Sequence, residues 1–97
     1  MPIFIKTEII KKEFISNINL KKKIIDEHIS WIHELNEAGV NIKSGFLVDE
    51  FKKPGAGGLL IIEVKTYKDA LEIINSDPMI KNKIVEWQLS EWIDINS

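Results

Sequence analysis

Gly55-Ala56-Gly57-Gly58-Leu59-Leu60-Ile61-Ile62-Glu63-Val64 sets a glycine-rich break directly before the most continuous apolar run in the chain. Such a run, bounded by turn residues, reads as a strand covered on both faces and therefore central to a sheet. The segment before it, Asp49 to Gly58, contains Lys52, Lys53, Pro54, Gly55, Gly57 and Gly58 and reads as a loop. Val40 to Val48 is a shorter, more polar strand, so the middle of the chain forms a hairpin. The glycines do not make a phosphate loop, because neither the following Lys-Ser/Thr nor a following helix is present.

Outward from the hairpin, each side carries a helix and then a strand. Towards the N-terminus, Leu20, Ile24, Trp31, Leu35 and Ala38 recur with helical spacing, flanked by Ile25 and Ile32. Asn19 is the expected N-cap of a helix over residues 20–38, and Gly39 its stop. Lys11 to Asn19 is a polar connection from a first strand, Ile3 to Ile10, which is rich in β-branched residues. Towards the C-terminus, Thr66 caps a second helix with Asp69 at its third position. Ala70, Leu71, Ile73 and Ile74 form its buried face, and Asp77-Pro78 ends it. Val85, Trp87 and Leu89 alternate with Glu86, Gln88 and Ser90 in a fourth strand that runs on towards Ile95. The order β-α-β-β-α-β is the split βαβ, or ferredoxin-like, α+β arrangement. It predicts a four-stranded antiparallel sheet with two helices on one face, in a single domain over residues 1–97.

Helices on one face leave the other face of the sheet open. In strand three Leu60, Ile62 and Val64 face one way, and Leu59 and Ile61 the other. An apolar patch of that kind calls for a second subunit or a ligand, and a homodimer through the sheet face is the expectation. Trp87 and Trp92, five residues apart, fall on opposite faces, so at least one serves an interface or a pocket.

Composition narrows the function. Ninety-seven residues support one core. A net charge of −2 supplies no basic field for phosphates, which argues against nucleic acid as a partner. Lys21-Lys22-Lys23 is interleaved with Asp26, Glu27, Glu34 and Glu37 and reads as a hydrated helix surface. The absence of cysteine excludes disulfides and thiolate chemistry. Two histidines on opposite helix faces make a poor metal site. No stretch approaches membrane-spanning length and Met1 to Lys6 lacks the pattern of a signal peptide, so a cytoplasmic location is expected.

One side chain breaks the pattern of its helix. His28 falls about 40° from Ile24 and about 20° from Leu35, inside the apolar stripe, whereas His33 lies about 180° from Ile24 among charged residues. An imidazole aimed at a core is either hydrogen-bonded structurally or used for proton transfer. Asp77 is the nearest carboxylate candidate, because the two helices pack side by side on one sheet face. The alternative is an aspartate that bonds its own backbone in an Asp-Pro turn. A carboxylate beside an imidazole fixes its tautomer and suits it to general acid–base work. Ser44, Gly45, Trp31 and Trp87 are the candidate substrate contacts, with Gly45 marking a bulge or a close approach to the strand backbone.

In order, these features resemble the YciI-like (YCII-related) family. They are helix-borne His28, Gly39, Ser-Gly-x-Leu-x-Asp at Ser44 to Asp49, Gly57-Gly58 before an apolar strand, Ala70, Asp77-Pro78 and Trp92. The resemblance implies a ferredoxin-like fold of the dimeric α/β-barrel group, pairing of subunits through their sheets, and a histidine–aspartate pair at His28 and Asp77. It also implies an enzyme, one branch of the family eliminating chloride from a chlorinated hydroxyhydroquinone. Phe46, where a proline commonly follows the glycine, departs from the pattern, as does the lack of a glycine after Asp77-Pro78. The resulting expectation is a small-molecule enzyme, of lyase or isomerase type, acting on a cyclic or aromatic substrate without metal or redox cofactor. The alternative is a non-catalytic dimeric module that binds a small ligand or a partner.

Overall fold

The structure is a computed structural model and describes residues 1–96. Strand β1 (Ile3–Ile10) leads through a 3₁₀ turn (Lys12–Phe14) into helix α1 (Ile18–Glu37). Strands β2 (Asn41–Val48) and β3 (Pro54–Glu63) form the central hairpin. Helices α2 (Tyr67–Ile74) and α3 (Pro78–Lys81) then precede strand β4 (Val85–Trp92). The sheet has the order β2-β3-β1-β4 with every neighbouring pair antiparallel, which is the ferredoxin-like topology. Among the described residues no helix is long and apolar enough to cross a membrane.

Several boundaries differ from expectation for identifiable reasons. The cap of α1 is Asn17 rather than Asn19, its side chain accepting the Leu20 N–H at 3.2 Å. The first turn was hidden because Ile18 and Asn19 are exposed and add nothing to the apolar stripe. Gly39 does end the helix, with φ of 91° and N–H groups of Gly39 and Val40 returning to Asn36 and Leu35. Strand β3 starts at Pro54, well inside the expected loop, and the turn shrinks to the residues between Val48 and Pro54. Proline is tolerated there because it is the first residue of the strand. Gly57 is required: at φ of 94° a Cβ would collide with the Glu8 carbonyl oxygen of β1. The register irregularity of β2 falls between Phe46 and Val48, just beyond Gly45. Thr66 caps α2 as expected, accepting the Asp69 N–H at 3.0 Å.

Asp77 does not close the second helix. It opens α3, its Oδ1 accepting the Met79 N–H at 2.9 Å with Pro78 in the first helical position. A four-residue helix has a single turn and therefore no periodicity to read.

Two apolar clusters fill the space between sheet and helices. One holds Phe4, Ile42, Leu60, Ile62, Ala70, Ile74 and Leu89. The other holds Ile24, Met79, Ile84 and Val85, with Ile10, Phe14 and Leu20 against it. A polar seam runs between their buried residues, with Ile80 and Trp87 packed against both clusters. Lys6 lies between Phe4 and Ile10 on β1, His28 between Ile24 and Trp31 on α1, and Asp77 between Ile74 and Met79 at the start of α3.

Candidate functional site

The seam is the candidate site. Asp77 is fully buried, and both of its oxygens have hydrogen-bond partners. Oδ1 lies 2.8 Å from His28 Nδ1 and 2.9 Å from the Met79 amide nitrogen, and Oδ2 accepts from Lys6 Nζ at 2.7 Å. Lys6, also fully buried, has its second carboxylate at Glu8 Oε1, 2.6 Å away. Burial pushes the Asp77 carboxyl up. The hydrogen bond from His28, the charge and hydrogen bond of Lys6, and the charge of His28 together outweigh it and hold Asp77 below its ordinary value. Asp77 is therefore an ionised acceptor, and that settles the imidazole. Nδ1 carries a proton and donates to Oδ1, so in the neutral ring Nε2 is the lone-pair nitrogen.

Nε2 faces the other way, 2.8 Å from Ser44 Oγ. With Nε2 an acceptor, the serine hydroxyl is the donor. Ser44 is exposed on β2 while the His28 side chain is only 12% exposed, so the ring spans from a sealed end to an open one. Trp31, one turn along α1, packs against it with ring centroids 5.6 Å apart. The indole is itself fixed, donating to Ser76 Oγ at 3.0 Å, and Ser76 donates in turn to the Ile73 carbonyl at 2.6 Å.

The open side is apolar. Ile25 and Ile29 lie about 60° and 100° around α1 from His28, on the opposite flank from Trp31. Both are exposed, and Phe46, two residues beyond Ser44 on the same side of β2, is 72% exposed. Two surface hollows lie elsewhere. One of about 500 Å³, lined by Asp26, Glu27, Ser30, Trp31, Glu34 and Pro78, sits behind the indole. The other, of about 370 Å³, lies at the far end beside Met1, Gly39 and Glu72. Neither is lined by His28, Ser44 or Asp77.

Of the residues expected from sequence, the fold brings His28, Asp77 and Ser44 into one chain of hydrogen bonds, with Trp31 alongside. Trp87 faces the helices opposite Glu8 and packs with both apolar clusters. Gly45 pairs with Leu59 and shares its side of the sheet, away from His28, with open space where a Cβ would stand. Lys6 and Glu8 were missed. Their signal was the alternation Phe4-Lys6-Glu8, which puts two charges on the covered face of a strand with neighbours on both sides. Among the described residues no three His, Asp or Glu side chains converge as metal ligands.

The class is that of ferredoxin-like α+β proteins, with a four-stranded antiparallel sheet and its helices. The YCII-related domain model matches residues 7–93, and the chain belongs to that family. Its fold is similar to that of 5-chloro-2-hydroxyhydroquinone dehydrochlorinase from Burkholderia phenoliruptrix AC1100, solved in complex with 2,5-dihydroxybenzoquinone. The TM-score is 0.71 and the identity 14%, over 97% of this chain and 96% of that one. No curated protein matches the sequence.

Proposed function

We propose that the protein is a small enzyme that uses His28 Nε2 as a general base towards a hydroxylated aromatic ring, in an elimination or tautomerisation. The observation that carries this reading is the imidazole bridge. An ionised, buried Asp77 accepts the Nδ1 hydrogen bond, with Nδ1 2.8 Å from Oδ1, and leaves the Nε2 lone pair at the open end beside Ser44. A phenolic hydroxyl seated where Ser44 Oγ now donates would pass its proton to Nε2. The imidazolium would return that proton to the ring carbon bearing the leaving group, giving a dienone tautomer. As Nε2 then takes the proton of a second ring hydroxyl, the electrons pushed through the ring would expel chloride and leave the quinone. The buried charges suit this step. Lys6 set against Glu8 and Asp77 leaves one surplus negative charge, which stabilises the imidazolium formed as His28 takes the proton. The exposed Ile25, Ile29 and Phe46 and the indole of Trp31 provide apolar surface for an aromatic ring.

The similar dehydrochlorinase, solved with a dihydroxybenzoquinone, supports a hydroquinone as the substrate class. The reading includes a cytoplasmic homodimer paired through the open sheet face, where Ile9 and Trp92 are 53% and 50% exposed. The test is chloride release from chlorinated hydroxyhydroquinones. Wild type should turn over, and His28→Ala should lose on the order of 10²–10⁴ in rate while keeping its unfolding midpoint. Equal rates in the two proteins would reject the base.

A further inference from the structure

We infer that Asp77, His28 and Ser44 constitute a nucleophilic triad, and that the protein transfers acyl groups from small activated esters through Ser44. The inference shares with the preceding section the role of His28 as base, but it needs no hydroquinone. It rests on the two ends of one imidazole. A serine nucleophile requires a base within hydrogen-bond reach of its hydroxyl and a third group that orients the base. Both distances here are 2.8 Å, Nε2 to Ser44 Oγ and Nδ1 to Asp77 Oδ1. The ionised aspartate forces the tautomer in which the serine hydroxyl donates to the ring, the alignment from which its proton is removed. Chain order does not matter, since such triads are defined by geometry and role.

Accessibility separates this serine from a structural one. A hydroxyl that merely satisfies a buried histidine would be sealed with it, whereas Ser44 is exposed and β2 is an edge strand of the sheet. On an edge strand every second residue turns its N–H away from the ladder, so an unpaired backbone donor lies at Ser44 or at the residues beside it. Such donors can receive the developing oxyanion. The exposed Ile25 and Ile29 on α1 and Phe46 on β2 favour an apolar acyl or aryl group.

The step balances without any other reactant but water. Ser44 Oγ bonds to the ester carbonyl carbon as its proton passes to His28 Nε2, and the carbon–oxygen bond to the leaving phenol breaks. The phenoxide takes the proton from Nε2, leaving acyl-Ser44. Water, deprotonated by the same nitrogen, then releases the carboxylic acid and restores the serine.

The experiment is p-nitrophenyl acetate with the full chain, read by nitrophenolate release and by peptide mass. A burst of nitrophenolate with an adduct of about 42 Da on the peptide containing Ser44 is expected, absent in Ser44→Ala. Thermal unfolding verifies that the variant is folded, and Ser44→Cys should regain the adduct as a thioester with an altered pH profile. Acetylation confined to lysines and the N-terminus, or a burst that persists in Ser44→Ala, overturns the triad. Chloride release from hydroxyhydroquinones is measured separately. A wild type that acylates Ser44 but releases no chloride upholds the triad while removing the hydroquinone reading.

Discussion

Along β1 the covered face carries Phe4, Lys6, Glu8 and Ile10, and the open face Ile3, Ile5, Thr7 and Ile9. A strand with one wet face ordinarily sorts the other way, apolar inwards and polar outwards. Here two charges go in and three isoleucines go out. Burying a lysine and an aspartate costs several kcal/mol per ion, and their attraction only offsets that when every proton and lone pair is placed. Apolar residues in the same space would serve stability as well or better. The covered face thus gives up core to hold one carboxylate in one orientation, and the open face keeps apolar surface that a monomer has no use for. Both departures fit the proposed site and the proposed subunit interface, and they sit back to back on the same eight residues.

The covered face of β1 should give the largest effects. Lys6→Met leaves the buried Asp77 and the half-buried Glu8 without their cation and should cost about 3–5 kcal/mol in urea unfolding. A loss below about 1 kcal/mol would mean that the seam is hydrated rather than sealed. Asp77→Asn retains an acceptor for the Met79 amide but not the charge, and should cost about 2 kcal/mol. The double variant should lose less than the two single losses combined, because the two residues share one interaction.

Acid provides a third test. Asp77 is held below its unfolded value of 3.8, so its stabilisation is present above that pH and drains away as pH falls through the lower folded value. Unfolding followed between pH 5 and pH 2 should show that loss in wild type and lack its Asp77 component in Asp77→Asn. The smallest effect belongs to the open face. With a second copy covering it, Ile9→Ser should weaken the fold in a concentration-dependent way. A concentration-independent change below about 0.5 kcal/mol would return that face to solvent.

The parts of this arrangement that sequence reveals are those carried by long periodic elements. A twenty-residue helix turns a stripe often enough that one histidine inside it stands out. The partner was found by a different route: β-α-β-β-α-β order puts both helical segments on one side, which brings Asp77 within range of His28. Lys6 escaped because a strand rich in isoleucine reads as a strand whichever face its lysine takes. Only the position of β1 between β3 and β4 makes that face costly. Gly55 to Gly58 read as a turn from their composition, yet pairing with β1 and β2 holds Gly58 in the ladder. The role of Asp77 at α3 was hidden by the brevity of that helix.

That role has a consequence for how the family diversifies. The carboxylate starting α3 also steers the imidazole, so a descendant without the proposed chemistry would still need an aspartate or asparagine at that place to fold. Its histidine and its edge-strand serine would be under no such obligation. Relatives keeping the acidic residue while drifting at the other two positions should prove to be inactive scaffolds, and their retained aspartate would say nothing about turnover.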